Sequence, residues 1–124
     1  MYKVLLVDDE VLIRDAISEN LDWSSLGYEL VAACKNGKDA IEFLEETSVD
    51  LIITDVCMPY VNGLELSKYV YENMSETYVI ILSGYSDFEY AKKAVKYQVK
   101  DYVLKPVTSL ELSDILLNIK KSLN

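Results

Sequence analysis

Two short apolar runs in this chain end in carboxylates. Leu5, Leu6 and Val7 lead into Asp8, Asp9 and Glu10, and Leu51 to Thr54 lead into Asp55. Each run has the length and composition of a buried strand. If both strands lie in one sheet and point the same way, their acids meet at one end. Grouped carboxylates repel one another unless a cation or a phosphoryl partner joins them. Two further strand-like runs end in polar groups of a complementary kind, Tyr78 to Leu82 in Ser83 and Asp101 to Leu104 in Lys105. Carboxylates can hold a hard divalent cation, a carboxylate oxygen can attack phosphorus, and a hydroxyl with an ammonium can bind the oxygens of a transferred phosphoryl group.

The elements that must place these groups alternate along the chain. Tyr2 to Val7 is the first strand, followed by a helix from about Val11 to Asp22 in which Ile13, Ile17 and Leu21 recur every four residues. Trp23, Leu26 and Tyr28 surround a turn at Gly27, Leu30 to Cys34 form a second strand, and Asn36-Gly37 turn into a helix that ends near Thr47. Leu51 to Thr54 form the third strand, and a helix from about Leu64 to Met74 follows Gly63. After the fourth strand, Ser86 or Asp87 is placed to cap a helix reaching Tyr97, with Phe88, Ala91, Ala94 and Val95 as its apolar stripe. The fifth strand, Asp101 to Leu104, is ended by Lys105-Pro106, and Leu112, Leu116, Ile119 and Leu123 mark a last helix. Strand and helix in alternation predict an α/β fold, a doubly wound (βα)5 domain with a five-stranded parallel sheet and helices on both faces. In such a sheet, ligands sit beyond the carboxyl ends of the strands. All the polar strand-end residues point to that rim.

The 124 residues, half of them apolar, suffice for one domain and no more. A net charge of −9 without a long basic run argues against a chain that grips nucleic acid by itself. The absence of histidine excludes imidazole catalysis and histidine metal ligation. Cys34 and Cys57 form no CxxC pair and read as reduced thiols. The N-terminus is neither a signal peptide nor a membrane span, which leads to the expectation of a cytoplasmic protein. Ten tyrosines are many for so acidic a domain, and some of them are expected at the rim or on a contact face.

The strings LLVDDE at 5–10, LIITDVCMP at 51–59, Gly63, Ile81 to Gly84 and DYVLKP at 101–106 together resemble the receiver (CheY-like) domain of bacterial two-component response regulators, over essentially the whole chain. SGYSDFEYAKKA at 83–94 is similar to the subgroup whose receivers precede an AraC-type helix-turn-helix output domain. The resemblance implies the flavodoxin-like strand order 2-1-3-4-5 and a receiver domain spanning 1–124, with its output domain outside this chain. It implies that Asp55 takes a phosphoryl group from a phosphohistidine of a sensor histidine kinase. Mg²⁺ would be held by Asp8, Asp9, Asp55 and the backbone carbonyl of Cys57, with Asp9 touching the ion directly and Asp8 mostly through water. Lys105 would pair with the phosphoryl oxygens and precede a cis bond to Pro106. Ser83 and Tyr102 match the family's switch pair, in which the hydroxyl moves toward the phosphoryl group and the ring turns inward. The activity implied is self-phosphorylation with weak aspartyl-phosphate autophosphatase action, and the output is a changed protein contact, a homodimer on activation among the options. DNA would be reached only through the output domain, and no membrane is involved.

Several positions depart from the family pattern. Cys57 is uncharged where relatives often carry a polar or charged side chain, Asn62 stands for a common Asp, and Gln98 stands where Gly is usual. Ile115 occupies a place where regulators that dimerise through the last helix often have arginine, which argues against that salt-bridged dimer. A stand-alone or non-phosphorylated receiver acting as a protein-binding module remains the alternative reading. A phosphatase of the haloacid dehalogenase kind would need Asp-x-Asp after the first strand, and the adjacent Asp8 and Asp9 lack that spacing.

Overall fold

The central strand β3 (Leu51–Asp55) is buried along its whole length, which accounts for an apolar run with no alternation. The computed structural model describes residues 1–124. β3 pairs in parallel with β1 (Tyr2–Val7) on one side and β4 (Tyr78–Ser83) on the other. β2 (Tyr28–Cys34) and β5 (Asp101–Leu104) form the edges, giving the order β2-β1-β3-β4-β5. The chain order reverses between β1 and β3, so the crevice for a ligand opens at their carboxyl ends.

Successive side chains of each strand enter opposite layers of core. Val4, Leu6, Leu51, Ile53, Ile80 and Leu82 face α1 (Val11–Asn20) and α6 (Ser109–Leu123) through Ile17, Leu112, Leu116 and Ile119. On the other face, Leu5, Val7, Ile52, Val79 and Ile81 pack against α3 (Gly37–Glu46) and α4 (Gly63–Asn73) through Ala40, Leu44, Leu66 and Val70. No helix is long and apolar enough to cross a membrane.

Three boundaries differ from the sequence expectation. α1 stops at Asn20, because Asp22 caps a separate one-turn helix, α2 (Trp23–Leu26), by accepting the Ser25 N–H. Gly27 closes that turn at φ +90°, and β2 starts at Tyr28, two residues early. The helix expected up to Tyr97 is instead a 3₁₀ turn (Tyr85–Asp87), a single α turn, α5 (Phe88–Ala91), and a second 3₁₀ stretch (Lys92–Tyr97). Neither Ser86 nor Asp87 caps it: Asp87 has αR backbone angles and makes no capping bond. The apolar residues Phe88, Ala91, Ala94 and Tyr97 recur every three residues, the 3₁₀ period, and Val95 falls off that face and is 69% exposed.

Candidate functional site

β1 delivers Asp8 to the rim fully buried, with every polar atom engaged. Its N–H donates to the Cys34 carbonyl (3.0 Å), and its own carbonyl accepts from Arg14 Nη1 (2.7 Å). Its Oδ1 accepts the Glu10 N–H (2.9 Å) and its Oδ2 faces Lys105 Nζ at 3.3 Å. Asp9 and Glu10 follow on the solvent side.

Asp55 ends β3 at 5% exposure. Its Oδ1 accepts the Val56 N–H (2.9 Å) and meets Lys105 Nζ at 3.2 Å, while its Oδ2 takes no bond from the protein. The backbone beneath it is clamped: Gly63 opens α4 so close that a Cβ there would collide with the Asp55 carbonyl, and the Gly63 N–H donates to Val56 O (2.8 Å). Asn62 caps this helix in a reciprocal box with Glu65, the role its substitution for Asp preserves. The loop between is further pinned by Gly37, whose missing Cβ leaves room for Val61.

Lys105 comes from the other side, after β5, where its N–H donates to the Ser83 carbonyl (2.8 Å) and its bond to Pro106 is cis. Its ammonium bridges Asp8 and Asp55 and lies 3.8 Å from Glu10. Ser83 ends β4 with its hydroxyl buried and without a hydrogen-bond partner. Tyr102 lies on β5 beside the core layer of Ala91 and Ala94, and its hydroxyl oxygen is also sealed and unpartnered. The residue as a whole is half-buried. Cys57 is exposed, in the loop after Asp55. Burial first, then the charge of the nearby Asp87 carboxylate, push its thiol up from the ordinary range.

Ligand oxygens of Asp8, Asp9, Glu10 and Asp55 all lie within 4.8 Å of one another. Three of these carboxylates, Asp8, Glu10 and Asp55, share one ammonium, that of Lys105. Burial raises the Asp55 pKa to about 6, opposed by Lys105 and reinforced by the Asp8 charge. Burial alone would depress Lys105, but the Asp55 and Asp8 carboxylates outweigh it and hold its pKa above the usual value. An all-oxygen, anionic donor set of this kind suits a hard divalent cation. The Cys57 thiol is not part of the set, which leaves only its backbone carbonyl as a potential ligand.

Residue types alone mark Glu10 as one of the acids after β1 but not as a member of the site; its place beside Asp8 and Asp9 is the available signal. Arg14 carries no such mark, because its partner is a backbone carbonyl, which leaves no trace in residue types.

A parallel (βα)5 sheet that gathers an aspartate, an acid cluster and a lysine at its switch point defines an aspartyl phosphoacceptor domain rather than a turnover enzyme. Residues 4–117 match the response regulator receiver domain, and the chain belongs to that family. Among curated proteins it is 42% identical over 125 residues to the uncharacterised transcriptional regulatory protein YesN of Bacillus subtilis, covering 98% of this chain and 34% of YesN. It is 35% identical over 123 residues to the transcriptional regulatory protein HptR of Staphylococcus aureus, covering 99% of this chain and 48% of HptR. The chain thus spans between a third and a half of these relatives. The REC domain of AraT, a response regulator from Geobacillus stearothermophilus, superposes with a TM-score of 0.94 at 38% identity, over 98% of this chain and 95% of that one. A two-component transcriptional regulator AraC from Clostridium phytofermentans gives 0.90 at 34% identity, over 98% and 95%.

Proposed function

We propose that this chain is the phosphorylation-controlled receiver of a longer transcriptional regulator. The observation that carries the reading is the geometry of Asp55: Oδ1 is held by Lys105 and the Val56 N–H, which leaves Oδ2 free as the nucleophile. Oδ2 attacks phosphorus, the bond from phosphorus to the donor nitrogen breaks, and that nitrogen keeps the electron pair and takes up a proton. With a pKa of about 6, roughly 90% of Asp55 is ionised at pH 7. The role of Lys105 is to neutralise the incoming oxygens. Ser83 supplies the hydroxyl that now lacks a partner and would find one in a phosphoryl oxygen. Movement of Ser83 would then release Tyr102 to settle deeper, changing the face around β5. Mg²⁺ would be held by Asp8, Asp9, Asp55 and the Cys57 carbonyl, and when bound it supplies charge stabilisation to the transferring group.

The donor we infer is a phosphohistidine on a sensor kinase. An open apolar groove of about 460 Å³ beside Lys105, lined by Leu12, Ile13, Ala16, Ile17, Pro106 and Val107, offers a partner helix a seat next to Asp55. The output we infer is an AraC-type DNA-binding segment outside residues 1–124, in the cytoplasm. The names of the C. phytofermentans and B. subtilis relatives, and the greater length of the latter, support it. The test is incubation with Mg²⁺ and acetyl phosphate followed by intact mass. One phosphoryl group should add to the wild type and none to Asp55→Asn; uptake that persists in the variant would sink the assignment.

A further inference from the structure

We propose that Arg14 is a positioning residue for the cation site, acting through the Asp8 carbonyl to aim the carboxylate of Asp9. The inference rests on the metal-binding reading of the acid cluster given above.

Arg14 is the sole arginine of the chain and stands in the first turn of α1. A cation there opposes the helix dipole, whose N-terminal end is itself positive. α1 also lacks what would favour its start: Glu10 makes no side-chain capping bond, and no acid lies in the first turn. A residue that breaks a local rule is usually held there by something beyond its own helix. Arg14 sits half-buried next to four clustered carboxylates and yet joins none of the chain's ion pairs. The one hydrogen bond of its guanidinium is to a backbone atom, the Asp8 carbonyl at 2.7 Å.

That carbonyl belongs to the peptide joining Asp8 to Asp9. The three other polar atoms of Asp8 are fixed by Cys34, Glu10 and Lys105, so Arg14 supplies the remaining restraint and sets the tilt of the peptide plane. Asp9 is exposed and accepts no hydrogen bond from any side chain or backbone group, so its carboxylate is aimed by the backbone alone. A long planar donor that is always charged suits the task, because it reaches the carbonyl without entering the cluster. The arrangement matches the general behaviour of outer groups that orient metal ligands without touching the metal.

Two effects of Arg14 on a cation have opposite signs, which makes the proposal testable. As a nearby charge the guanidinium repels Mg²⁺; as a restraint on Asp9 it favours binding. Mg²⁺ titration of the 124-residue chain by calorimetry, with no phosphodonor present, separates them. Arg14→Gln should bind Mg²⁺ about tenfold more weakly than wild type. Arg14→Lys, which keeps the charge and a donor, should recover part of the loss, a rescue that a merely structural role would not produce. Gln retains helix propensity, and a melt without Mg²⁺ checks that the variant is folded; if it is not, the Lys variant alone should still show weaker binding than wild type. Binding by Arg14→Gln as tight as or tighter than wild type would overturn the proposal. A wild type that takes up no Mg²⁺ would instead refute the metal-site reading itself.

Discussion

The two sides of the phosphoacceptor crevice are restrained to different degrees. On the β1–β3 side every polar atom of Asp8 is bonded, Asp55 is held through one oxygen, and Gly63 locks the following helix against its backbone. On the β4–β5 side the Ser83 and Tyr102 hydroxyls are buried with no partner. The chain between those strands changes helix type twice and ends at Gln98 in the left-handed region, φ 58°. An unpartnered buried hydroxyl costs about 1–3 kcal/mol, which a new acceptor would recover. The clustered carboxylates thus occupy the restrained side, and the unpartnered hydroxyls occupy the other. The boundary between the sides is a single residue, Lys105, which bonds the Ser83 carbonyl with its backbone and the carboxylates with its ammonium.

Glycine substitutions should break the comparison most sharply if it is wrong. Adding a methyl at Gly63 drives it into the Asp55 carbonyl and to 2.9 Å from the Val56 Cα, neither of which is a flexible side-chain end. Gly63→Ala should cost about 3 kcal/mol, the upper range for overpacking. On the other side, a Cβ at Gly84 meets only an Asp87 carboxylate oxygen at 3.9 Å, and the backbone is extended. Gly84→Ala should be neutral or up to about 0.5 kcal/mol stabilising, through the unfolded chain. Urea unfolding of both variants decides it, and equal losses would mean that the two sides are equally tight.

Charge on the restrained side gives the next largest effect. The folded Asp55 binds its proton with a pKa of about 6 against an ordinary 3.8. Folding is therefore favoured by the protonated form, a contribution complete below about pH 4 and lost as pH rises through about 6. Asp55→Asn removes the titration, so without Mg²⁺ it should exceed wild type by about 1–2 kcal/mol at pH 7.5 and by little at pH 4. Denaturant unfolding at the two pH values measures the difference, and a pH-independent offset would show that burial of the charge is not its cause.

The same division governs what the sequence could disclose. β1 and β3 were legible because an uninterrupted apolar run ending in acid fits little besides a buried strand that surfaces at a sheet rim; the parallel α/β class followed from the alternation, and the strand order from the family likeness alone. The break-up of the segment from Tyr85 to Tyr97 was not, since Phe88, Ala91 and Ala94 satisfy a three-residue and, with Val95, a four-residue repeat equally well; only the exposure of Val95 tells them apart. α2 is too short to show a period, although Asp22 three residues before Ser25 and Gly27 beyond are the cap signals it left behind. The bond from Arg14 to a carbonyl and the orphaned state of Ser83 and Tyr102 depend on packing, which residue spacing does not encode.

Two tyrosines allow one substitution to be tried on satisfied and unsatisfied hydroxyls. Tyr28 is fully buried, and its hydroxyl donates to the Leu116 carbonyl at 2.6 Å, joining β2 to α6. Tyr28→Phe should cost about 1 kcal/mol, whereas Tyr102→Phe, which deletes a buried group with no partner, should stabilise by up to about 1 kcal/mol. A loss at both positions would place an acceptor near Tyr102 and weaken the case for an unrestrained side.

The smallest effect concerns the end of the 3₁₀ stretch. Gln98 closes it by donating its N–H to the Val95 carbonyl at 3.0 Å, and its own φ is positive there. A side chain there costs about 1 kcal/mol that glycine would not incur, but glycine gives back roughly half or more of that through the greater freedom of the unfolded chain. Gln98→Gly should thus raise stability by no more than about 0.5 kcal/mol, while Gln98→Ala should be near neutral because it keeps the same backbone penalty. The contrast with Gly63 is the informative part. One backbone position beneath Asp55 tolerates no added atom, and one before β5, at the end of the sheet away from the crevice, tolerates a whole side chain in an unfavourable conformation. A Gln98→Gly gain well above about 1 kcal/mol in urea unfolding would mean that the segment is held under more strain than its open packing supplies.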